Sequence, residues 1–361
     1  MGVQLSTAMS FFEPELLSLD DALLAEIAAD PAMADYDAFL RNLIRQKPHT
    51  LPAEQEKLLA MMGLDALDMY DLYTPMVKDF HMELSYDKAF DLVLEGLKPM
   101  GEDYLAKLRE ARVGGWIDVY PSKGKSSGAF SSGNLRDVHP YLSDTFTIAH
   151  ELGHSMHSFY SNTNQPAPKS DYSLFVAEVA STCNEATMMR HLLKTFADDK
   201  KALAYLLNHF LEQFRTTVFR QTMFAEFELI AHTMAEQGQP LTRESLSKAY
   251  YELNQKYYGA VCTVDENIAN EWMRIPHFYR SYYVYVYATG LCAAVSLSDK
   301  ILSEGESAVR DYRKFLSAGC AVPPIDALKL AGIDMSSPEP IRRALGVFKD
   351  TLAQFKAVIM A

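Results

Sequence analysis

The sequence predicts a mainly α-helical protein with one small β element, and three observations carry that expectation. Apolar residues recur three and four apart through nearly the whole chain, the spacing of one helix face. Strand signals are confined to WIDVYP at 116–121 and GAFSS at 128–132, joined by the turn-forming SKGKSSG. There are no internal repeats and no low-complexity linkers, so the helices read as one continuous organisation.

The elements follow in order. LDDALLAEIAADPAM and YDAFLRNLIRQ read as short amphipathic helices. YDKAFDLVLEGLKPMGEDYLAKLREAR gives two more, broken near Pro99-Met100-Gly101. After the strands, Ser143 or Asp144 can cap a helix through TFTIAHELGHSMHSF. Asp171 or Ser173 can cap the next, within DYSLFVAEVASTCNEATMMRHLL. KKALAYLLNHFLEQFRTTVFRQTMFAEFELIAHTMAEQ stays apolar for about ten turns, too rich for a solvated arm and suited to a central core helix or pair. SLSKAYYELNQKYYG, HFYRSYYVYVYATGLCAAVSLSDKIL and PEPIRRALGVFKDTLAQF complete the set.

Composition narrows the function classes. A 361-residue chain, 48% hydrophobic and 22% charged, can bury a large core and reads as an ordinary globular protein. Its formal net charge of −13 argues against nucleic acid or an anionic membrane surface as the main partner. No apolar run approaches the ~18 residues of a membrane span, and the basic-then-apolar layout of a signal peptide is missing. Cys183, Cys262, Cys292 and Cys320 are widely spaced with no CxxC pair, which reads as free, mostly buried thiols. The expected location is cytoplasmic.

Three of the ten histidines fall within FTIAHELGHSMHSFY at 146–160. On a helix, positions four apart share a face, so His150 and His154 can direct two imidazoles at one ion. Glu151 lies beside them and can reach a water there without being a ligand, as in a metallohydrolase. Catalytic zinc takes three protein ligands and keeps one position open. His157 is a tempting third, but it sits about 10 Å from His150 along the axis. Both cannot reach one ion at ~2.1 Å, so His157 is expected outside the ligand set or on the surface. A following helix offers Glu178, 24 residues after His154. A carboxylate flanked by Val176, Ala177, Val179 and Ala180 is costly to bury unless it is paired or binds metal. Glu185 either orients a ligating imidazole or is a solvated helix glutamate.

A tyrosine-rich segment adds a second candidate. Tyr279, Tyr282, Tyr283, Tyr285 and Tyr287 supply phenols that can donate to a carbonyl becoming an oxyanion. Tyr282 and Tyr285, three apart, can share a helix face. An aromatic core stripe is the competing explanation and suits Tyr283 and Tyr287 well.

HELGHSMHSFYS, FVAEVASTCNE, IPHFYRSYYVYVYATG and AGIDMSSPEP together resemble the oligoendopeptidase F family of zinc oligopeptidases, related more distantly to the thimet-type oligopeptidases. The resemblance runs from about Tyr70 to the C-terminus, and SFFEPELLSL and LIRQKPHTLPAEQEKLLA look like part of the family's N-terminal half. It implies a multi-helix, zincin-type catalytic core with an enclosed substrate channel, residues 1–66 being a remnant of an N-terminal helical region and 67–361 the catalytic domain. It also implies one zinc ion held by His150, His154 and Glu178, with Glu151 as general base on a zinc-bound water. His277, Tyr282 and Tyr285 match the segment that contributes substrate-binding and transition-state groups. The implied activity is that of a metalloendopeptidase cutting short peptides within the chain; nothing indicates the oligomeric state.

The chain departs from the family by being shorter. HPYLSDTFTIAH runs almost straight into the histidine helix where the family has an extended segment, and SAGCAVPP has Cys320 and Ala321 where the family often has Gly and Ser. Two other readings follow: a truncated member that binds zinc or peptide with little turnover, or a zinc exopeptidase.

Overall fold

The structure, a computed structural model, describes residues 85–117, 145–258 and 262–360, with isolated positions at 29, 67–69, 72, 76, 77 and 131. These residues divide into two compact units, one within Met1–Asp79 and Ile230–Pro276, the other within Phe80–Leu229 and His277–Ala361. The mainly α expectation holds, with eleven α-helices among the described residues. The two helices expected before residue 50 lie outside them apart from Ala29. So do the strands expected at 116–121 and 128–132, apart from Trp116, Ile117 and Ser131.

Helix α1 (Tyr86–Gly96) starts at Ser85, whose hydroxyl accepts from Lys88 N. It ends where expected: Pro99 sits in a 3₁₀ turn, Lys98–Met100, and Gly101 at φ 90° redirects the chain into α2 (Glu102–Val113). A positive φ of that size suits glycine because it has no Cβ. Helix α3 (Thr145–Asn164) carries the histidines. Ser173 occupies the N-cap position of α4 (Leu174–Thr195), while the Asp171 carboxylate accepts from Tyr172 N. Asp199 caps α5 (Lys200–Gln213) by accepting from Lys201 N and Ala202 N. The long apolar run then continues through a π-helical segment, Phe214–Phe219, into α6 (Arg220–Glu236).

In the first unit, α7 (Arg243–Tyr258) packs on a 3₁₀ segment, Glu266–Arg274, where the Tyr250 hydroxyl donates to buried Glu271 at 2.5 Å. Strand β1 (Leu67–Asp68) pairs in parallel with β2 (Cys262–Thr263), Leu67 opposite Cys262. The second unit closes with α8 (Tyr285–Glu304), α9 (Glu306–Leu316), α10 (Pro324–Leu330) and α11 (Glu339–Met360). Helix α8 starts later than its apolar pattern suggested, because Tyr282 adopts φ 53° and ends any helical path through it.

The core of the second unit is built around α4 and α8. Every residue of α8 from Gly290 to Ser298 is buried, the signature of a helix enclosed on all sides. Small residues let α4 lie close: a Cβ on Gly290 would sit 3.9 Å from Glu178 Cβ, and the Thr187 and Ser298 hydroxyls meet at 2.9 Å. Around this pair Phe90, Phe210, Phe214, Tyr312 and Phe315 are buried to 1% exposure or less. Each contributes about 1.5–3 kcal/mol by leaving water.

Helices α3 and α4 approach each other closely. A Cβ on Gly153 would lie 2.5 Å from Ser181 Cα and 2.8 Å from Ala180 O and Ser181 N. Only a residue without a side chain fits against those backbone atoms. Asn184 locks the crossing from the other side, donating to Ala149 O at 3.0 Å and accepting from the Tyr104 hydroxyl at 3.0 Å. All three groups are buried, so the amide exchanges water for protein partners rather than losing them.

His157 is not on the surface. It is 1% exposed, with its ring stacked on Tyr172 at 3.7 Å and tilted against Phe315 at 5.1 Å. Its Nδ1 is buried with no hydrogen-bond partner among the described residues. Burial pushes this imidazole down to about 3. Of the cysteines, Cys183, Cys262 and Cys292 are buried and Cys320 is exposed. Cys320 N donates to Lys169 O, and Gly319 beside it takes φ 51°, so this loop closes on the chain's own backbone. No helix among the described residues is long and apolar enough to cross a membrane.

Two outcomes follow from this packing. An exposed helical Gly→Ala gains up to about 1 kcal/mol of helix propensity. At Gly153 the obstructing atoms are backbone, so overpacking of about 1–3 kcal/mol outweighs that gain. Gly153→Ala should therefore lower the midpoint of denaturant unfolding; a raised midpoint would show that the helices can part freely. The second concerns pH. The His157 imidazole protonates near 6.5 when unfolded and only near 3 when folded, so the unfolded chain binds the extra proton between these values. Its contribution is complete above about 6.5 and is lost as pH falls toward 3, at about 1.4 kcal/mol per pH unit. Unfolding free energies at pH 6.5, 5.5 and 4.5 should fall more steeply for wild type than for His157→Phe by about that slope.

Candidate metal centre

Three polar side chains converge where α3 crosses α4. His150 and His154, one turn apart on α3, bring their Nε2 atoms to 3.2 Å, with the rings edge to face. Glu178 of α4 reaches both from the facing helix, its Oε2 lying 3.3 Å from His150 Nε2 and 3.4 Å from His154 Nε2. These three residues form the metal-competent group found among the described residues. A tetrahedral ion with bonds of about 2.1 Å sets its ligand atoms about 3.4 Å apart. The donor spacing fits such an ion. His157 is outside the group, as the axial rise of the helix requires.

The ligands are themselves held. His150 Nδ1 meets Glu185 Oε1, and the Gln213 amide on α5 donates to Glu185 Oε2 at 2.7 Å. A proton on Nδ1, shared with that carboxylate, leaves Nε2 as the atom that can turn its lone pair to an ion once its own proton is displaced. Glu185 is thus the orienting residue of the two alternatives, not a solvated one. Ser181 donates to Glu178 Oε2 at 3.2 Å. Gln213 carried no signal in the sequence: it is one polar position in a long apolar helix, and nothing local says which helix it faces.

Electrostatics bind the cluster tightly. Burial works against a charge on His150, but the Glu178 and Glu185 carboxylates outweigh it and hold the imidazole up at about 10. Burial likewise works against Glu178, yet His150 and His154 keep its carboxyl well below the usual carboxylate range. Glu151, 5% exposed, differs: burial pushes its carboxyl up, with partial relief from His150 and His154. Its Oε2 has no hydrogen-bond partner among the described residues. The same residue lines a cavity of about 520 Å³ with Phe146, Thr147, His209, Glu212 and Thr216. A nearly buried carboxyl with an unpartnered oxygen and a raised pKa suits proton transfer better than ion pairing.

The tyrosine segment is arranged differently from the expectation. Tyr282 lies in the turn before α8 and Tyr285 at its start, so the two do not share a helix face; the left-handed backbone at Tyr282 separates them. Both are exposed, at 47% and 38%. The ring of Tyr285 lies 6.0 Å from Phe175, one turn before Glu178 on α4. His277 pairs with neither. The Tyr287 hydroxyl lies 3.3 Å from His277 Nε2 and donates to the Tyr283 hydroxyl at 3.3 Å. Burial, then Tyr283, then the charge of Glu178 push the Tyr287 phenol up, so it feels the metal-competent cluster. Tyr283 and Tyr287, which suited a core stripe, are half-buried and hydrogen-bonded instead.

The chain is similar to known proteins in sequence and in fold. The model of peptidase family M3 matches residues 16–347. Oligopeptidase PepF of Bacillus subtilis is 49% identical over 334 residues, covering 90% of this chain and 49% of that protein. The solved oligoendopeptidase-F of Enterococcus faecium is 35% identical with a TM-score of 0.65, over 93% of this chain and 54% of that one. A Chlamydophila abortus structure superposes with a TM-score of 0.75 at 27% identity, over 97% of this chain and 82% of that one. The chain spans about half the length of the Bacillus and Enterococcus proteins it matches. With its residues matched by the family model almost from end to end, the chain belongs to peptidase family M3.

Proposed function

We propose that this chain hydrolyses internal peptide bonds of short oligopeptides as a cytoplasmic, zinc-dependent endopeptidase, with its catalytic machinery within residues 67–361. The observation that carries the proposal is the convergence of His150 Nε2, His154 Nε2 and Glu178 Oε2 to within 3.4 Å of one another, with Glu151 alongside. The names of the relatives, an oligopeptidase and an oligoendopeptidase, support the substrate class. The exopeptidase and low-turnover readings have no comparable support.

His150, His154 and Glu178 would hold the ion. When bound, zinc supplies a Lewis acid that polarises a carbonyl and makes a water more acidic. Everything else falls to side chains of this chain. Glu151 takes the proton from the attacking water with its open Oε2 and delivers it to the leaving amine. Its raised pKa helps both halves of that task, because the group must accept and release a proton near neutral pH. Glu185 fixes the His150 ring so that its lone pair points at the cluster. Tyr282 and Tyr285, exposed beside the site, or the hydrogen-bonded His277 and Tyr287, donate to the oxygen that gains charge in the transition state.

Glu151→Gln removes the base and keeps the shape. It should retain one zinc per chain by metal analysis while cleavage of a quenched peptide blocked at both ends falls by about 10²–10⁴-fold. Loss of zinc together with activity would make Glu151 a structural group instead. Glu178→Gln should lose zinc and turnover together; full retention of both would remove Glu178 from the ligand set. Chelator-sensitive cleavage of the doubly blocked peptide supports the endopeptidase, cleavage only at free termini the exopeptidase, and zinc binding without cleavage the low-turnover alternative.

A further inference from the structure

Helix α5 does not run straight into α6. The break between them is a π-helical segment, Phe214–Phe219, where Arg220 N–H bonds to Arg215 O, five residues back. Such segments are rare, because the widened turn packs its own backbone less well than an α-helix, and they occur frequently at functional sites. This one begins directly after Gln213. Phe214 and Val218 enter the core, while Gln213, the last residue of α5, and Thr216, within the segment, line the cavity beside His150. The widened turn shifts the residues that follow it relative to α5, which keeps Gln213 on its own α-helical phase.

Gln213 uses that placement for one contact. Its Nε2 donates to Glu185 Oε2 at 2.7 Å, while Glu185 Oε1 meets His150 Nδ1. The three side chains come from three helices, α5, α4 and α3, and together form a relay ending at the imidazole. A carboxylate held at one oxygen only can swing about its Cγ–Cδ bond and carry the imidazole with it. Held at both oxygens, it fixes the plane of the ring. Next to the relay, Arg215 engages Glu212 through two nitrogens, at 2.5 and 2.9 Å. That pair leaves the Gln213 amide as the neutral donor facing Glu185.

We propose that Gln213, the last residue of α5 before the π-helical segment, is a positioning residue of the metal centre: by clamping Glu185 it sets the orientation of His150 and thereby how tightly the site holds a divalent ion. The inference rests on the metal reading given above. Gln213 touches neither substrate nor ion and acts only through Glu185.

The test is zinc affinity of the purified full chain, measured by competition with a chromophoric chelator, beside the thermal midpoint of the metal-free protein. Gln213→Glu keeps the shape but replaces the donor with a second carboxylate, and Gln213→Leu keeps the volume without any donor. Loss of an outer hydrogen-bond partner typically weakens metal binding 10–100-fold. Each Gln213 variant should therefore bind zinc about 10-fold more weakly, and Glu185→Gln at least as much, with the metal-free midpoint little changed. Equal zinc affinity of wild type and both Gln213 variants, with Glu185→Gln still weakened, overturns the inference and leaves the metal reading standing. A loss of affinity matched by an equal loss of metal-free stability also overturns it, since Gln213 would then serve the fold and not the centre. A wild-type chain that takes up no zinc defeats the metal reading, and the inference with it.

Discussion

The contact at Gly153 is the constraint on which the rest depends. Two α-helices with ordinary side chains at their crossing keep their axes 8–10 Å apart, roughly. At that distance a glutamate from one reaches the imidazoles of the other only at full stretch. Gly153, facing Ala180 and Ser181, lets the backbones nearly touch, and Glu178 is one turn from that point. Glu178 can then meet both histidines with a side chain short enough to be held by Ser181. The glycine lies inside the motif that carries the histidines, so one short stretch supplies two donors and the clearance for the third. Asn184 then prevents the two helices from sliding, because it bonds the Ala149 carbonyl one residue before His150.

The charge distribution follows from the same crowding. Glu151, Glu178 and Glu185 surround two imidazoles in a part-buried setting. Without a cation, Glu178 is satisfied by sharing protons or positive charge with the imidazoles it meets, and the opposite shifts of Glu178 and His150 express that. Three carboxyl groups face only two imidazoles, so the cluster carries more acidic than basic groups, an excess that a divalent ion would balance. The cluster therefore looks poorly balanced as a structural ion-pair network and well balanced as a metal site. Glu151 is the exception: it lies among these charges yet keeps an oxygen free of hydrogen bonds among the described residues.

Much of this was legible in the sequence, for identifiable reasons. Helix periodicity, the Pro99–Gly101 break and the spacing of His150, Glu151 and His154 are local properties, and the structure reproduces them. Glu178 was legible because an apolar neighbourhood makes an isolated carboxylate conspicuous. His157 was legible only in part: axial rise excluded it from the ligand set, but its burial between Tyr172 and Phe315 depends on elements distant in sequence. Gln213 and the π-helical segment left no trace, since an inserted residue within a long apolar helix hardly disturbs the pattern. The β element expected beside α3 falls outside the described residues, apart from Ser131, whose hydroxyl lies 3.2 Å from that of Ser155.

The tyrosine segment shows where periodicity misleads. Five tyrosines before an apolar helix invite a single helical face, but Tyr282 adopts φ 53°, which an L-residue with a bulky side chain rarely does. A conformation of this kind costs about 1–3 kcal/mol and persists only where the surroundings over-determine it. Here the constraint is visible: Glu228, 4% exposed on α6, accepts the Tyr282 backbone N–H at 2.9 Å. Because a buried carboxylate is costly unless it is engaged, that bond stabilises the turn as much as it satisfies the glutamate. The turn in turn decides which phenols are exposed. Tyr282 and Tyr285 are exposed, while Tyr283 and Tyr287 fold back onto His277. A regular helix through this segment would have buried a different pair. The strain at Tyr282 is thus the means by which one aromatic run supplies both packed and accessible phenols.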